Sequence, residues 1–148
     1  MNNIIIQNVS KTRPLATKKQ FKKWFAVALS HHKNNHEIVI RLVDTKEITK
    51  LNKKYRKKNK PTNIISFQFE TPSGVKTNFL GDLVICVPLV KKEARTQGKT
   101  IIAHLAHLTI HGVLHLLGFD HKNKKEAVAM ETLEIGYLKK LKIANPYD

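Results

Sequence analysis

A chain of 148 residues, 41% of them hydrophobic and only six glycine and five proline, has the size and composition of one globular domain and excludes a disordered or fibrous polymer. A single cysteine, Cys86, excludes a disulfide scaffold and a cysteine-rich zinc module. Lys and Arg number 27 against 11 Asp and Glu, a net charge of +16, and a field of that sign attracts polyanions, nucleic acid ahead of anionic membrane surfaces.

Ile4–Val9 reads as a first strand. The stretch from Met1 to Gln7 has no basic start and only three consecutive apolar residues, so it is not expected to be a secretory leader. Thr17-Lys18-Lys19-Gln20 has the form of a capping box, and Phe21, Trp24, Phe25, Ala28 and Leu29 follow at helical spacing. That helix should fray through Ser30–Asn35. Glu37–Val43 is rich in β-branched residues and predicts a second strand. Asp44-Thr45-Lys46-Glu47 offers a second capping signal, with Ile48, Leu51 and Tyr55 on one helical face and Pro61 closing the basic extension.

Ile64–Phe69 predicts a third strand, Thr71–Asn78 a polar loop, and Leu83–Val87 an interior strand. Pro88 opens a helix running from Leu89 to Gln97, closed by Gly98. Thr100 caps a long helix to Leu117, stopped by Gly118, and a last helix covers Lys124–Leu141. The apolar run Ile101–Leu117 carries four histidines, unlike a membrane span, and a soluble cytoplasmic protein with no membrane partner is expected. Four strands interspersed with helices predict an α+β or α/β architecture, a sheet layered with helices whose strand order the pattern leaves open.

The chemistry concentrates in His111-Gly112-Val113-Leu114-His115-Leu116-Leu117-Gly118-Phe119-Asp120-His121. On a helix, His111 and His115 are four apart and project from one face. Gly118 lets the chain fold back and return His121 towards them. Three neutral imidazoles with a fourth position open are the ligand set of a catalytic zinc site, one Zn²⁺ per chain. His104 and His107 extend the same stripe and are candidates for contacts behind the ligands or to substrate; plain structural roles compete with both. Asp120 adjoins a ligand and is placed either to orient an imidazole or to form the turn. Asp82, after Gly81, has a turn role at least as simple as a chemical one.

The spacing His-x3-His-x2-Gly-x2-His is also that of metzincin proteases, which place a glutamate base directly after the first histidine. Gly112 stands there, so a protease reading loses its base. Met130 lies in a helical pattern and reads as core.

The run HGVLHLLGFDH resembles the signature of the YbeY family of bacterial single-strand-specific metallo-endoribonucleases. Leu51–Phe67, containing LNKKYRKKNKPTNIISF, is similar to that family's second block, and Leu80–Cys86, LGDLVIC, to its third. His104, His107, Met130-Glu131 and Glu134 fit the pattern too, whereas Asn59 and Asn63 stand where the family pattern has acidic residues. The resemblance implies a single α+β domain over 1–148, a mixed four-stranded sheet layered with about five helices, and a metal site at the end of the long His-bearing helix.

It also implies that Arg56 faces the metal cleft. Arg56 lies among six lysines between Lys50 and Lys60, and its planar fork suits two phosphate oxygens. The expected reaction is attack on a phosphodiester of single-stranded RNA by zinc-bound water, or by a ribose hydroxyl it activates, with Arg56 stabilising the phosphoryl charge. The implied setting is maturation of small-subunit ribosomal RNA near its 3′ end and ribosome quality control, alongside small-subunit proteins and a ribosome-associated GTPase. A second reading, a zinc-stabilised RNA-binding assembly factor that does not cut, stands on the lack of an obvious carboxylate base.

Overall fold

The strands form where β-branched residues alternate, and the helices start where a cap is at hand. The computed structural model describes residues 2–32, 35–75 and 77–148. Lys33 and Asn34 of the expected fray, Lys76 of the polar loop and Met1 lie outside the described residues. The elements are β1 (Asn3–Asn8), α1 (Lys18–Ala28), β2 (Glu37–Val43), α2 (Thr45–Arg56), β3 (Ile64–Gln68), β4 (Phe79–Cys86), α3 (Val87–Thr96), α4 (Ile101–Leu116) and α5 (Lys124–Lys140). They make an α+β fold whose mixed sheet runs β1-β2-β4-β3; β1, β2 and β4 are parallel, and β3 pairs antiparallel with β4 at an edge.

Thr17 and Gln20 close the expected capping box on α1. Asp44 holds the N-cap position of α2 but makes no cap bond. Its carboxylate instead accepts from Ser10 Oγ at 2.7 Å and Lys11 N at 3.0 Å, tying the β1–α1 connection to the sheet. The second capping signal is therefore spent on tertiary structure. β4 begins at Phe79, earlier than the expected Leu83, because pairing with β2 and β3 extends the strand through polar Asp82 and through Gly81. Gly81 has φ +146°, and a side chain there would run into the Phe67 carbonyl.

Period-two alternation decides the layers. Ile38, Ile40 and Leu42 of β2 and Leu83 and Ile85 of β4 face the main core, which α1, α4 and α5 cover. On the opposite sheet face α2 packs Ile48 against Val43, Val84 and Cys86. Part of that face stays open, leaving Ile5 42% exposed.

α4 is apolar on most of its circumference and runs through the middle of the protein. At Gly112 it comes so close to the sheet that a Cβ would lie 2.8 Å from Ile64 Cδ1 and Leu83 Cδ2. Position 112 thus faces the core, and no glutamate there could serve the cleft without being buried.

Thr100 starts α4 by accepting from Ala103 N at 3.0 Å. Thr100→Ala should cost about 1 kcal/mol, read as a lower urea midpoint with unchanged m-value.

Candidate metal centre

His107, His111 and His115 form the stripe by which α4 emerges from the core into a cleft of about 620 Å³. Gly118, at φ +102°, turns the chain back as the sequence pattern requires. His121 returns so that its ring centroid lies 5.1 Å from that of His115 and 5.8 Å from that of His111. The donor atoms of the three rings all fall within 4.8 Å of one another. Gln68 Nε2 of the edge strand donates to the His115 carbonyl at 3.2 Å, fixing the end of α4 against β3.

Hydrogen bonds behind the rings set their tautomers. His115 Nδ1 lies 3.0 Å from the Phe119 carbonyl and His111 Nδ1 lies 2.8 Å from Glu134 Oε1. Both partners accept, so each Nδ1 carries the proton and each Nε2 keeps its lone pair. Those two Nε2 atoms face each other at 3.1 Å. Facing lone pairs repel unless a cation lies beside both, and two nitrogens on a tetrahedral zinc are about 3.3 Å apart. The donor set fits a divalent metal ion. Burial first, then repulsion from His111 and His121, lowers the pKa of His115 and favours the neutral ring a metal needs.

Glu134, which the sequence placed only in the pattern of the closing helix, and Tyr147, which it did not single out, both stand behind the histidine rings. Glu134 is fully buried; besides His111 it accepts from His107 Nε2 at 3.1 Å and from the Tyr147 hydroxyl at 2.9 Å. Burial pushes its carboxyl up, but these hydrogen bonds outweigh burial and hold it at about 2. The available signal was a carboxylate within the buried stripe Met130, Glu134, Tyr137 and Leu138 of α5.

A folded pKa near 2 against an ordinary 4.5 means stabilisation that is complete above about pH 4.5 and lost as pH falls towards 2. Glu134→Gln should remove this share of the acid loss, on the order of 3 kcal/mol, from the difference between urea denaturation at pH 2.5 and pH 6 (both roughly chosen to bracket that window).

The other candidates divide. Arg56, the last residue of α2, lines the same cleft, and among the described residues it has no ion-pair partner. Buried Asn52 donates to the Lys60 carbonyl at 2.8 Å, and Lys57 turns left-handed at φ +59°, so the chain after Arg56 winds back on its helix. Asp120 also lines the cleft, but its Oδ1 accepts the His121 N–H at 2.8 Å, which makes it the brace of the returning turn.

His104 lies about 10 Å before His111 along the helix axis. It is buried and meets Glu93 of α3 at 2.9 Å, away from the cleft. Asp82 lies on the opposite face of the sheet, because its strand parity is that of Val84 rather than of Leu83. Neither residue adjoins the three rings.

Residues 5–142 match the model of the endoribonuclease YbeY family. The chain belongs to that family. The endoribonuclease YbeY of Colwellia psychrerythraea is 51% identical over 137 residues, covering 90% of this chain and 88% of that protein. The endoribonuclease YbeY of Stenotrophomonas maltophilia is 53% identical over 131 residues, 86% of this chain and 81% of its own. A Thermotoga maritima protein solved in solution shares the fold, with a TM-score of 0.61 over 94% of this chain and 91% of its own at 23% identity.

Within the YbeY family pattern, one of the two unexpected amides has a clear place. Asn63 Nδ2 donates to Glu93 Oε1 at 3.0 Å, the same oxygen that His104 Nε2 approaches. A carboxylate at position 63 would face Glu93 with like charge, whereas the amide bonds to it. Nothing in the structure explains Asn59.

Proposed function

We propose that this protein is a single-strand-specific, zinc-dependent endoribonuclease that holds one ion through His111, His115 and His121 and binds the scissile phosphate with Arg56. The observation that carries the reading is the facing pair of Nε2 atoms 3.1 Å apart in a cleft that Arg56, without an ion-pair partner among the described residues, also lines.

Held by His111, His115 and His121, a divalent ion would supply Lewis-acid charge and lower the pKa of water towards neutrality. The protein's own groups do the positioning. Glu134 and the Phe119 carbonyl hold two ligand rings in orientation, and Arg56 offers two parallel N–H donors to phosphate oxygens whose charge grows as the bond breaks. Lys50, Lys53, Lys54, Lys57, Lys58 and Lys60 raise the local concentration of a polyanion.

The family relatives named endoribonuclease support RNA as the substrate class. We place the activity in small-subunit ribosomal RNA maturation near the 3′ end and in ribosome quality control, in the cytoplasm, beside small-subunit proteins and a ribosome-associated GTPase. Among the described residues no helix is long and apolar enough to cross a membrane.

Chelation of the purified protein should abolish cleavage of a single-stranded RNA, and stoichiometric zinc should restore it. Equal cutting by metal-free protein would overturn the reading. A non-catalytic RNA-binding role is favoured by one observation: Glu134 is committed to His107, His111 and Tyr147 and is not free to act as a base. Turnover that follows the zinc content rejects that role.

A further inference from the structure

Tyr55 and Phe67 line both the metal cleft and a second groove of about 390 Å³ on the open face of the sheet. Tyr55 is 55% exposed although it is a large ring at the end of an amphipathic helix. It stands edge-to-face with Phe67, centroids 5.1 Å apart at 74°, and Lys54 Nζ lies 5.1 Å from its ring centre. The two rings are a wall shared by two cavities, next in sequence to the guanidinium that faces the cleft.

The second groove has a different chemistry from the first. Val39, Leu51 and Val84 give it an apolar floor. Its one cation, Arg41, is bound to Glu47 at 2.6 Å and 3.0 Å and reaches Gln7 at 3.2 Å, so no free positive charge among the lining residues would hold a phosphate. Asp82 is half-buried there, and among the described residues its carboxylate has no hydrogen-bond partner. Apolar floor, exposed aromatic and an acceptor without a partner among the described residues suit a flat ring that carries an exocyclic amino group.

We propose that this groove is a nucleobase subsite. A base next to the scissile phosphate leaves the RNA strand, stacks on the Tyr55–Phe67 wall, and donates its exocyclic amino group to Asp82. The subsite rests on the RNA reading above and adds a selectivity: adenine and cytosine, which carry an exocyclic amine, over uracil, which does not. A paired base cannot enter, so the groove also discriminates against duplex.

The experiment uses zinc-loaded protein with uncleavable 2′-O-methyl oligoribonucleotides of A, of C or of U, titrated by fluorescence anisotropy, and an A oligomer carrying 2-aminopurine. Binding of the A and C oligomers should exceed that of U, and 2-aminopurine emission should fall on binding. Tyr55→Ala should weaken A binding by roughly fivefold or more, the scale of one lost base–aromatic stack, while Tyr55→Phe retains it. Asp82→Leu, which removes the acceptor altogether, should erase the preference of A over U. Circular dichroism confirms that each variant is folded.

Equal binding of A by wild type and folded Tyr55→Ala would overturn the subsite, as would an unchanged A-over-U ratio in Asp82→Leu. Failure of the wild type to bind any of the three oligomers would overturn the RNA reading itself, so the two failures are distinguishable.

Discussion

His115→Ala should leave a folded protein that no longer binds stoichiometric zinc and has lost RNA cleavage by on the order of 10³-fold or more, the upper range for removing a charge-stabilising group. Two protein donors remain in that variant, His111 and His121, and the second of them is exposed on a returning turn. Holding an ion with two nitrogens, one of them exposed to water, forfeits both the geometry and the charge on which the proposed reaction depends. Elemental analysis after gel filtration reads the first loss and a single-stranded RNA cleavage assay the second. The fold should survive, because His115 sits on the cleft side of α4 while Leu105, Ile110 and Leu114 hold the other side in the core. A variant that keeps full zinc and full activity would remove His115 from the site.

Arg56→Ala should lower kcat by about 10²–10³-fold with zinc content unchanged and RNA affinity reduced far less. The guanidinium is exposed and has no ion-pair partner among the described residues, so its loss breaks no structural bond and its effect reads directly on substrate. Six neighbouring lysines keep the field that gathers RNA. Arg56→Lys should recover only part of the rate, because an ammonium cannot hold two phosphate oxygens in a planar fork. Single-turnover cleavage and anisotropy with an uncleavable oligonucleotide separate the two quantities. An equal loss in affinity and rate would make Arg56 one more attractive charge.

The cluster of His111, His115 and His121 could be read from the chain because its geometry is local. His111 and His115 are related by one helical turn, and the return of His121 needs only one glycine at positive φ three residues before it. Helix starts at Thr17 and Thr100 were legible for the same reason, since a cap is a contact across three residues. Asp44 shows the limit: its cap signal was sound as a local preference, but Ser10 and Lys11, brought close by β1–β2 pairing, took the carboxylate. The strand order was not legible, because β4 enters between β2 and β3 through pairings set by long-range packing.

The same division runs through the site. His104 and His107 look equivalent on a helical wheel, yet only the second opens on the cleft, since α3 stands over the first and offers it Glu93. Asp82 shares a strand with core residues, and its parity sends it to the far side of the sheet. Glu134 lies 23 residues from His111 in the chain but 2.8 Å away in space, a relation that no spacing rule contains. Composition, charge and short-range spacing thus pointed to a polyanion partner and to a cluster of three histidines, because those depend on residue types and on one turn of backbone. Which acid orients them, which arginine and aromatics surround them, and which candidates are turned away were decided by how helices and strands distant in sequence pack, where burial and register outweigh local preference.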